Sequence, residues 1–361
     1  MTQNIIIVIP GTTGSTLFDP AGNEVWTTEV FKNLQEAASL LEQTDLTVGS
    51  ISAAYTPLIT ALATKSGTSI PPIYVTSNST YDPNPFPTTT EDVVVGFGYD
   101  WRQNNNTSAQ SLATLLSVLF STYSANTPKF WIVAHSMGGL ISRYVWESGL
   151  AASQNFAGIT PNLITLGTPH LGAPLALAAI TDEIPSLILA LIGIPGTQIQ
   201  EFVDDTAYPS TFELLPPPGY NFITDVNKTS ITYSVFDPTI ISALESGYGV
   251  GAADFTAPEG FFSKLSQNPT IWTNNLYLIW GNDLDTTIAY NYDGTQPVGQ
   301  QLSRPGTINL KGDMVVPYWS ASFSTWTHGE AGNTYVAAFV DHINLPKNPG
   351  VQNQVTSWIY P

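Results

Sequence analysis

Residues 130–147 constrain this chain more than any other stretch. Phe130-Trp131-Ile132-Val133-Ala134-His135 reads as a buried strand and runs, with no linker, through Ser136-Met137-Gly138-Gly139 into a helical stretch, Leu140 to Glu147. A strand that turns straight into a helix leaves room at its corner only for small neighbours two residues to either side. Ala134 and Gly138 meet that demand, with alanine where the usual pattern has glycine. A serine hydroxyl is a weak nucleophile, and a fold that uses one presents it on such a tight turn. Ser136 is therefore the candidate nucleophile.

Apolar runs ending in Gly, Pro or Thr turns recur at Ile5–Ile9, Val93–Phe97, Phe130–Ala134, Leu163–Leu166, Leu276–Trp280 and Thr307–Leu310. Helical stretches lie among them at Ser108–Ser124, Gly138–Ser148 and Pro349–Ile359. Strand-helix alternation of this kind predicts an α/β fold with a mostly parallel central sheet flanked by helices. Two segments break the rhythm: Thr27–Asp92, rich in Thr, Ser and Pro, and Leu175–Thr273, with Pro216-Pro217-Pro218 and many aromatics. The expected organisation is a catalytic core from residues 1–174 and 274–361, interrupted by an insertion at about 27–92, with residues 175–273 forming a cap or lid.

Composition removes several classes of function. The 361 residues carry 28 acidic and 10 basic side chains, a formal charge of -18, so the chain lacks the electrostatic attraction that carries nucleic-acid binding. There is no cysteine, hence no disulfide, thiolate metal site or thiol nucleophile. The four histidines are scattered singly, without ligand spacing, so neither a metal nor another cofactor is expected. The longest oily run, Ile184–Ile194, is about half a bilayer span, so no transmembrane segment is expected, although transient contact with a lipid interface is compatible with it. The start, Met1-Thr2-Gln3-Asn4, has no signal-peptide character, which leaves a cytoplasmic protein or a mature secreted form.

A nucleophilic serine needs a base, and where it sits on such an elbow the order along the chain is serine, acid, histidine. That leaves His328 and His342; His342, in Asp341-His342-Ile343-Asn344 just ahead of the last helix, is favoured over His328 in a Ser/Thr/Gly-rich loop. His135 should point away from the serine, and His170 lies in a turn, so both read as structural or pocket-lining. Asp313, in Lys311-Gly312-Asp313-Met314 after an expected strand, is the best acid, with Asp283 and Asp285 behind it. The oxyanion needs backbone N–H donors. Met137, next to the serine, and Thr12, in the turn Pro10-Gly11-Thr12-Thr13-Gly14, are the candidates.

In chain order, Val8-Ile9-Pro10-Gly11-Thr12-Thr13-Gly14-Ser15, Gly98-Tyr99-Asp100-Trp101-Arg102, Ala134-His135-Ser136-Met137-Gly138-Gly139, Thr165-Leu166-Gly167-Thr168-Pro169-His170-Leu171-Gly172, Glu213-Leu214-Leu215-Pro216, Gly312-Asp313-Met314-Val315-Val316-Pro317 and Asp341-His342 can be read together. The set resembles the lecithin:cholesterol acyltransferase and lysosomal-type phospholipase family of α/β-hydrolases. The resemblance spans nearly the whole chain, and Tyr99-Asp100-Trp101-Arg102 is its most specific part. It implies an α/β-hydrolase core with a lipid-facing cap, and serine ester hydrolase or acyltransferase activity. Nucleophile, acid and base would fall on Ser136, Asp313 and His342, and the oxyanion donors on Thr12 and Met137. For Asp100, Trp101 and Arg102 the residues themselves suggest packing and an ion pair rather than chemistry.

The expected function is that of a serine esterase or lipase acting through an acyl-enzyme on a small-molecule or lipid ester with an apolar acyl group. The alternatives are an acyltransferase or phospholipase passing the acyl chain to an alcohol, and an inactive hydrolase-like binding protein. Leu187, Ile188 and Leu191, in the oily run of the cap, are candidates for holding the acyl chain. The same residues would equally serve as the cap's own core.

Overall fold

The computed structural model describes residues 2–26, 44–77, 86–156, 158–181, 209–228, 230–295, 297–302, 311–327 and 332–361. With strands numbered along the chain, the central sheet comprises β1 (Asn4–Ile9), β5 (Ile73–Thr76), β6 (Val93–Gly98), β7 (Lys129–His135), β8 (Asn162–Leu166), β11 (Leu276–Asn282) and β14 (Thr334–Ala338). Their order is β14-β11-β8-β7-β1-β6-β5, and every pairing is parallel.

Successive side chains of a strand point to opposite faces, and β1 shows why its sequence is apolar throughout. Ile5, Ile7 and Ile9 enter one core cluster, while Ile6 and Val8 enter another. The first cluster is closed by α2 (Asn105–Tyr123) and α3 (Met137–Glu147), the second by α1 (Thr56–Ser66) and α7 (Pro349–Ile359). In α7, Val351, Val355 and Ile359 recur at helical spacing on the buried side. Asn348 caps the helix by accepting from the Gly350 and Val351 N–H groups, with Pro349 pre-set in the first turn. α2 starts at Asn105, three residues before the apolar spacing begins, because Asn104 accepts from the Asn106 N–H.

The five expected strands that lie within the described residues are present; the sixth, 307–310, lies outside them. β14 is not among the expected strands, and at the sheet edge only its Ala337 is buried. Residues 44–92, read in the sequence as part of an insertion, supply α1 and the edge strand β5 to the core, and β4 (Thr47–Ile51) to a small sheet with β2 (Ser15–Phe18) and β3 (Glu24–Trp26).

A separate sheet orders β10 (Thr232–Tyr233), β9 (Ile223–Asp225), β12 (Thr287–Tyr292) and β13 (Pro297–Leu302), and so draws on chain from both sides of residue 274. Its Ile223, Tyr290 and Tyr292 join a third apolar cluster with α4 (Leu175–Ile180), with Ile240, Ala243 and Leu244 of α5 (Pro238–Tyr248), and with Phe212 and Phe255. A last helix, α6 (Thr256–Phe262), sends Phe261 and Phe262 to the first cluster. No helix among the described residues is long and apolar enough to cross a membrane.

The sheet order decides where chemistry can occur. β1 lies between β6 and β7, so the loops leaving β1 and β7 diverge over the carboxyl ends of the strands, the place where open α/β sheets form a crevice. The residues following β1, β7, β8, β11 and β14 all gather at that end.

Candidate active site

Ser136 forms the corner between β7 and α3, with φ 52° and ψ −127°. An L-residue takes such a φ only when its surroundings impose it. Here the Ser136 N–H donates to the Leu166 carbonyl of the neighbouring strand at 2.9 Å, and its own carbonyl accepts from the Gly139 N–H at 3.0 Å. The steric demand read from the sequence has a definite origin. A Cβ on Gly138 would stand 2.5 Å from the Pro10 carbonyl oxygen and 2.9 Å from that of Ile9.

His342, in the turn after β14, places Nε2 2.8 Å from Ser136 Oγ and Nδ1 2.7 Å from Asp313 Oδ2. Asp313 is fully buried, and its other oxygen accepts from the Val315 and Val316 N–H groups at 3.1 and 2.7 Å. The Asp313 carbonyl also accepts from the His342 N–H at 2.9 Å, so acid and base are tied through both side chain and backbone. A carboxylate only accepts, which puts a proton on Nδ1 and leaves Nε2 to accept from the serine hydroxyl. Gly167 lines this pair at φ 60°, and a Cβ there would lie 3.0 Å from both Asp313 Oδ2 and His342 Nδ1. Its sequence context, Leu166-Gly167-Thr168-Pro169, carries no local sign of that role.

Thr12 and Met137 meet: the Thr12 hydroxyl lies 3.6 Å from Met137 Sδ. Among the described residues, neither backbone N–H donates to a protein acceptor. The loop holding Thr12 is braced from outside. Tyr99 donates its hydroxyl to the Pro10 carbonyl at 2.9 Å and its N–H to Ser15 Oγ at 3.0 Å. The indoles of Trp101 and Trp26 donate to the Ser15 and Thr13 carbonyls. Arg102, fully buried, pairs with Asp100 at 2.7 Å. The Tyr-Asp-Trp-Arg stretch thus shapes the loop from behind.

His170 faces elsewhere. It stacks on Phe323 with ring centroids 4.5 Å apart, and its ring nitrogens lie 3.4 Å from an Arg143 Nη and 3.2 Å from Thr165 Oγ1. Burial first, and the Arg143 charge second, hold it well below the ordinary histidine range. His135 turns from the serine toward Tyr55. Neither Asp283 nor Asp285 hydrogen-bonds to His342, and the Asp283 carbonyl accepts instead from Lys311 Nζ. His328, Leu187, Ile188 and Leu191 lie outside the described residues. One buried acid went unassigned in the sequence: Glu213 accepts from the Asn105 N–H at 2.7 Å, and burial pushes it up to about 8.

Residues 88–239 match the family model described as Lecithin:cholesterol acyltransferase. Over that stretch, which is less than half of the chain, the protein is similar to the lecithin:cholesterol acyltransferase family. The matched stretch holds the Tyr99–Arg102 brace, the Ser136 elbow and Glu213, and it ends before Asp313 and His342, which reach the serine through the fold. No curated protein sequence matches significantly. Among solved structures, the chain is similar to the mature form of the lipase BlEst2 from Bacillus licheniformis, at 12% identity and TM-score 0.41, covering 99% of this chain and 92% of that one. It is also similar to a thermostable carboxyl esterase from Bacillus coagulans, at 13% identity and TM-score 0.37, covering 99% and 88%.

Proposed function

We propose that this protein is a serine carboxylic ester hydrolase that works through an acyl-enzyme on esters with an apolar acyl group. The observation that carries this reading is the unbroken line from Ser136 Oγ through His342 to the buried Asp313, at 2.8 and 2.7 Å, on a strained corner. As Ser136 Oγ attacks the ester carbonyl carbon, His342 Nε2 takes its proton, and the carbonyl electron pair moves onto oxygen beside the Thr12 and Met137 N–H groups. Collapse breaks the bond to the leaving oxygen, which takes the proton from His342 and departs as alcohol. Water, deprotonated by the same nitrogen, then releases the acid and restores Ser136. Asp313 holds the Nδ1 proton throughout and stabilises the imidazolium.

Residues 175–273, extended by β12 and β13, form the cap in this reading. Their apolar cluster reaches the site at Met314 and Val315, which directly follow the acid, and this supports an apolar acyl group. An alcohol in place of water would give acyl transfer, the activity in the family's description. Assays with p-nitrophenyl esters from acetate to palmitate, with and without a long-chain alcohol, separate the two by product. Turnover is expected in the wild type and not in Ser136→Ala; equal turnover in both, or none in either, would overturn the assignment.

A further inference from the structure

The ends of one buried hydrogen-bonded chain point in a single direction. The Gly11 N–H, which can only donate, lies 2.9 Å from the Tyr55 hydroxyl oxygen. That hydroxyl lies 2.8 Å from His135 Nδ1, and His135 Nε2 lies 3.0 Å from the His342 carbonyl oxygen, which can only accept. The two termini leave one consistent arrangement: Gly11 N–H donates to Tyr55, the Tyr55 hydroxyl donates to Nδ1, and Nε2–H donates to the His342 carbonyl. Every member is satisfied only if His135 is a neutral imidazole protonated on Nε2. Its surroundings agree, since burial first and neighbouring His342 second hold His135 well below the ordinary histidine range.

What the chain joins gives it a purpose. One end fixes the loop that carries Thr12, the other the backbone of His342, and His135 is itself the residue before Ser136. The ring of His135 stands 4.8 Å from that of His342 by centroids, so a charge on His135 would oppose the imidazolium that forms during the reaction. We propose that Tyr55 and His135 are positioning residues, a neutral strut that sets the distance between the oxyanion loop and the base. The proposal rests on the ester-hydrolase reading above. Neither residue touches the reacting atoms, so the strut acts on transition-state geometry and leaves substrate binding nearly unchanged.

The experiment compares Tyr55→Phe, His135→Leu and His135→Gln with the wild type, with kcat expressed per serine titrated by a fluorophosphonate so that misfolded protein does not count. A glutamine amide offers both an N–H donor and a carbonyl acceptor, the pair of roles that the neutral imidazole fills. Tyr55→Phe and His135→Leu are expected to lower kcat by about ten- to a hundredfold, as misplacement by a fraction of an ångström to one ångström does, with KM within about twofold. His135→Gln is expected to recover most of that loss. Binding of an alkyl boronic acid, which forms a tetrahedral adduct on the serine, should weaken in step with kcat/KM. Unchanged kcat per titrated site, a loss confined to thermal stability, or a glutamine variant no better than leucine would overturn the strut. A wild type without Ser136-dependent turnover would overturn the hydrolase reading first, and is recognised by that alone.

Discussion

A carboxylic acid at position 213 is buried, and among the described residues no cation forms an ion pair with it. Glu213 Oε2 accepts from the Asn105 N–H at the start of α2, an arrangement that favours the anion, yet removal from water outweighs it and holds the group at about 8. The groups facing it are the Asn105 amide and the Tyr144 phenol, whose own ionisation burial and Glu213 push upward. Between the ordinary 4.5 and about 8 the folded chain keeps a proton that the unfolded chain has released. The stability contributed by the protonated Glu213 should therefore be lost as pH rises through that window, with no further loss above it. The depressed His135 and His170 add an opposite slope below the ordinary histidine value of 6.5. Glu213→Gln keeps an acceptor for the Asn105 N–H and removes that titration while leaving the histidines in place, so relative to the wild type its stability should gain as pH rises from 4.5 to about 8. Urea unfolding on either side of the window checks this, and an equal slope in both proteins would place the proton elsewhere.

Helix α3 does two jobs with two ends. Its first residue follows Ser136, and its last turn anchors the whole helix through a buried ion pair. Arg143 donates to both oxygens of Glu147, at 2.7 and 2.9 Å, and Glu147 in turn accepts from the Trp272 indole and the Ser266 N–H. Arg143 continues to the Ser266 carbonyl and lies over the Phe323 ring at 4.5 Å, so the helix is keyed to segments far along the chain. Because both charges are desolvated, losing one leaves the other uncompensated. Glu147→Ala should cost about 3–5 kcal/mol in denaturant unfolding, whereas the double change Arg143→Met with Glu147→Leu should be near neutral or stabilising. If the double variant is the less stable of the two, the pair has hydrogen bonds that apolar packing does not replace.

Across the molecule, the first apolar cluster of the central sheet and the third apolar cluster share a seam. Leu214, Tyr220, Phe236 and Val315 pack against both, and Tyr220 stacks on Trp319 with centroids 4.5 Å apart and planes 17° from parallel. Val315 donates its N–H to Asp313, so the third cluster and Asp313 are held by the same few residues. Loosening the seam should disturb the binding of a long acyl chain before it disturbs the triad. Tyr220→Ala removes an aromatic pair worth about 0.5–1.5 kcal/mol beyond burial and should reduce turnover of long-chain esters by about two- to tenfold. Short-chain turnover should hold, and a p-nitrophenyl ester series reads both; equal losses at all lengths would point to general destabilisation.

What is local could be read from the residues alone. A strand buried on both faces is apolar at every position, so β1 and β7 stand out as runs, and helices α2, α3 and α7 show their period. The elbow is legible because its steric demand falls on residues two positions from Ser136. Strands β5 and β14 are missing from that reading although both are apolar, because a short apolar run by itself does not distinguish a strand from other structure, and β9, β10, β12 and β13 are short and mix apolar with polar residues. Chain order leaves His328 and His342 as candidate bases and the place just ahead of the last helix favours His342, but only the parallel pairing of β14 with β11 brings it, 206 positions from Ser136, to 2.8 Å. Tyr55 lies in a stretch that reads as an insertion, and its bond to His135 spans 80 positions. Periodicity and bulk are properties of neighbours in sequence, so the sequence by itself determined the strands, the helices and the strained serine. Proximity between distant residues is a property of sheet order, and tertiary structure alone decided what surrounds that serine.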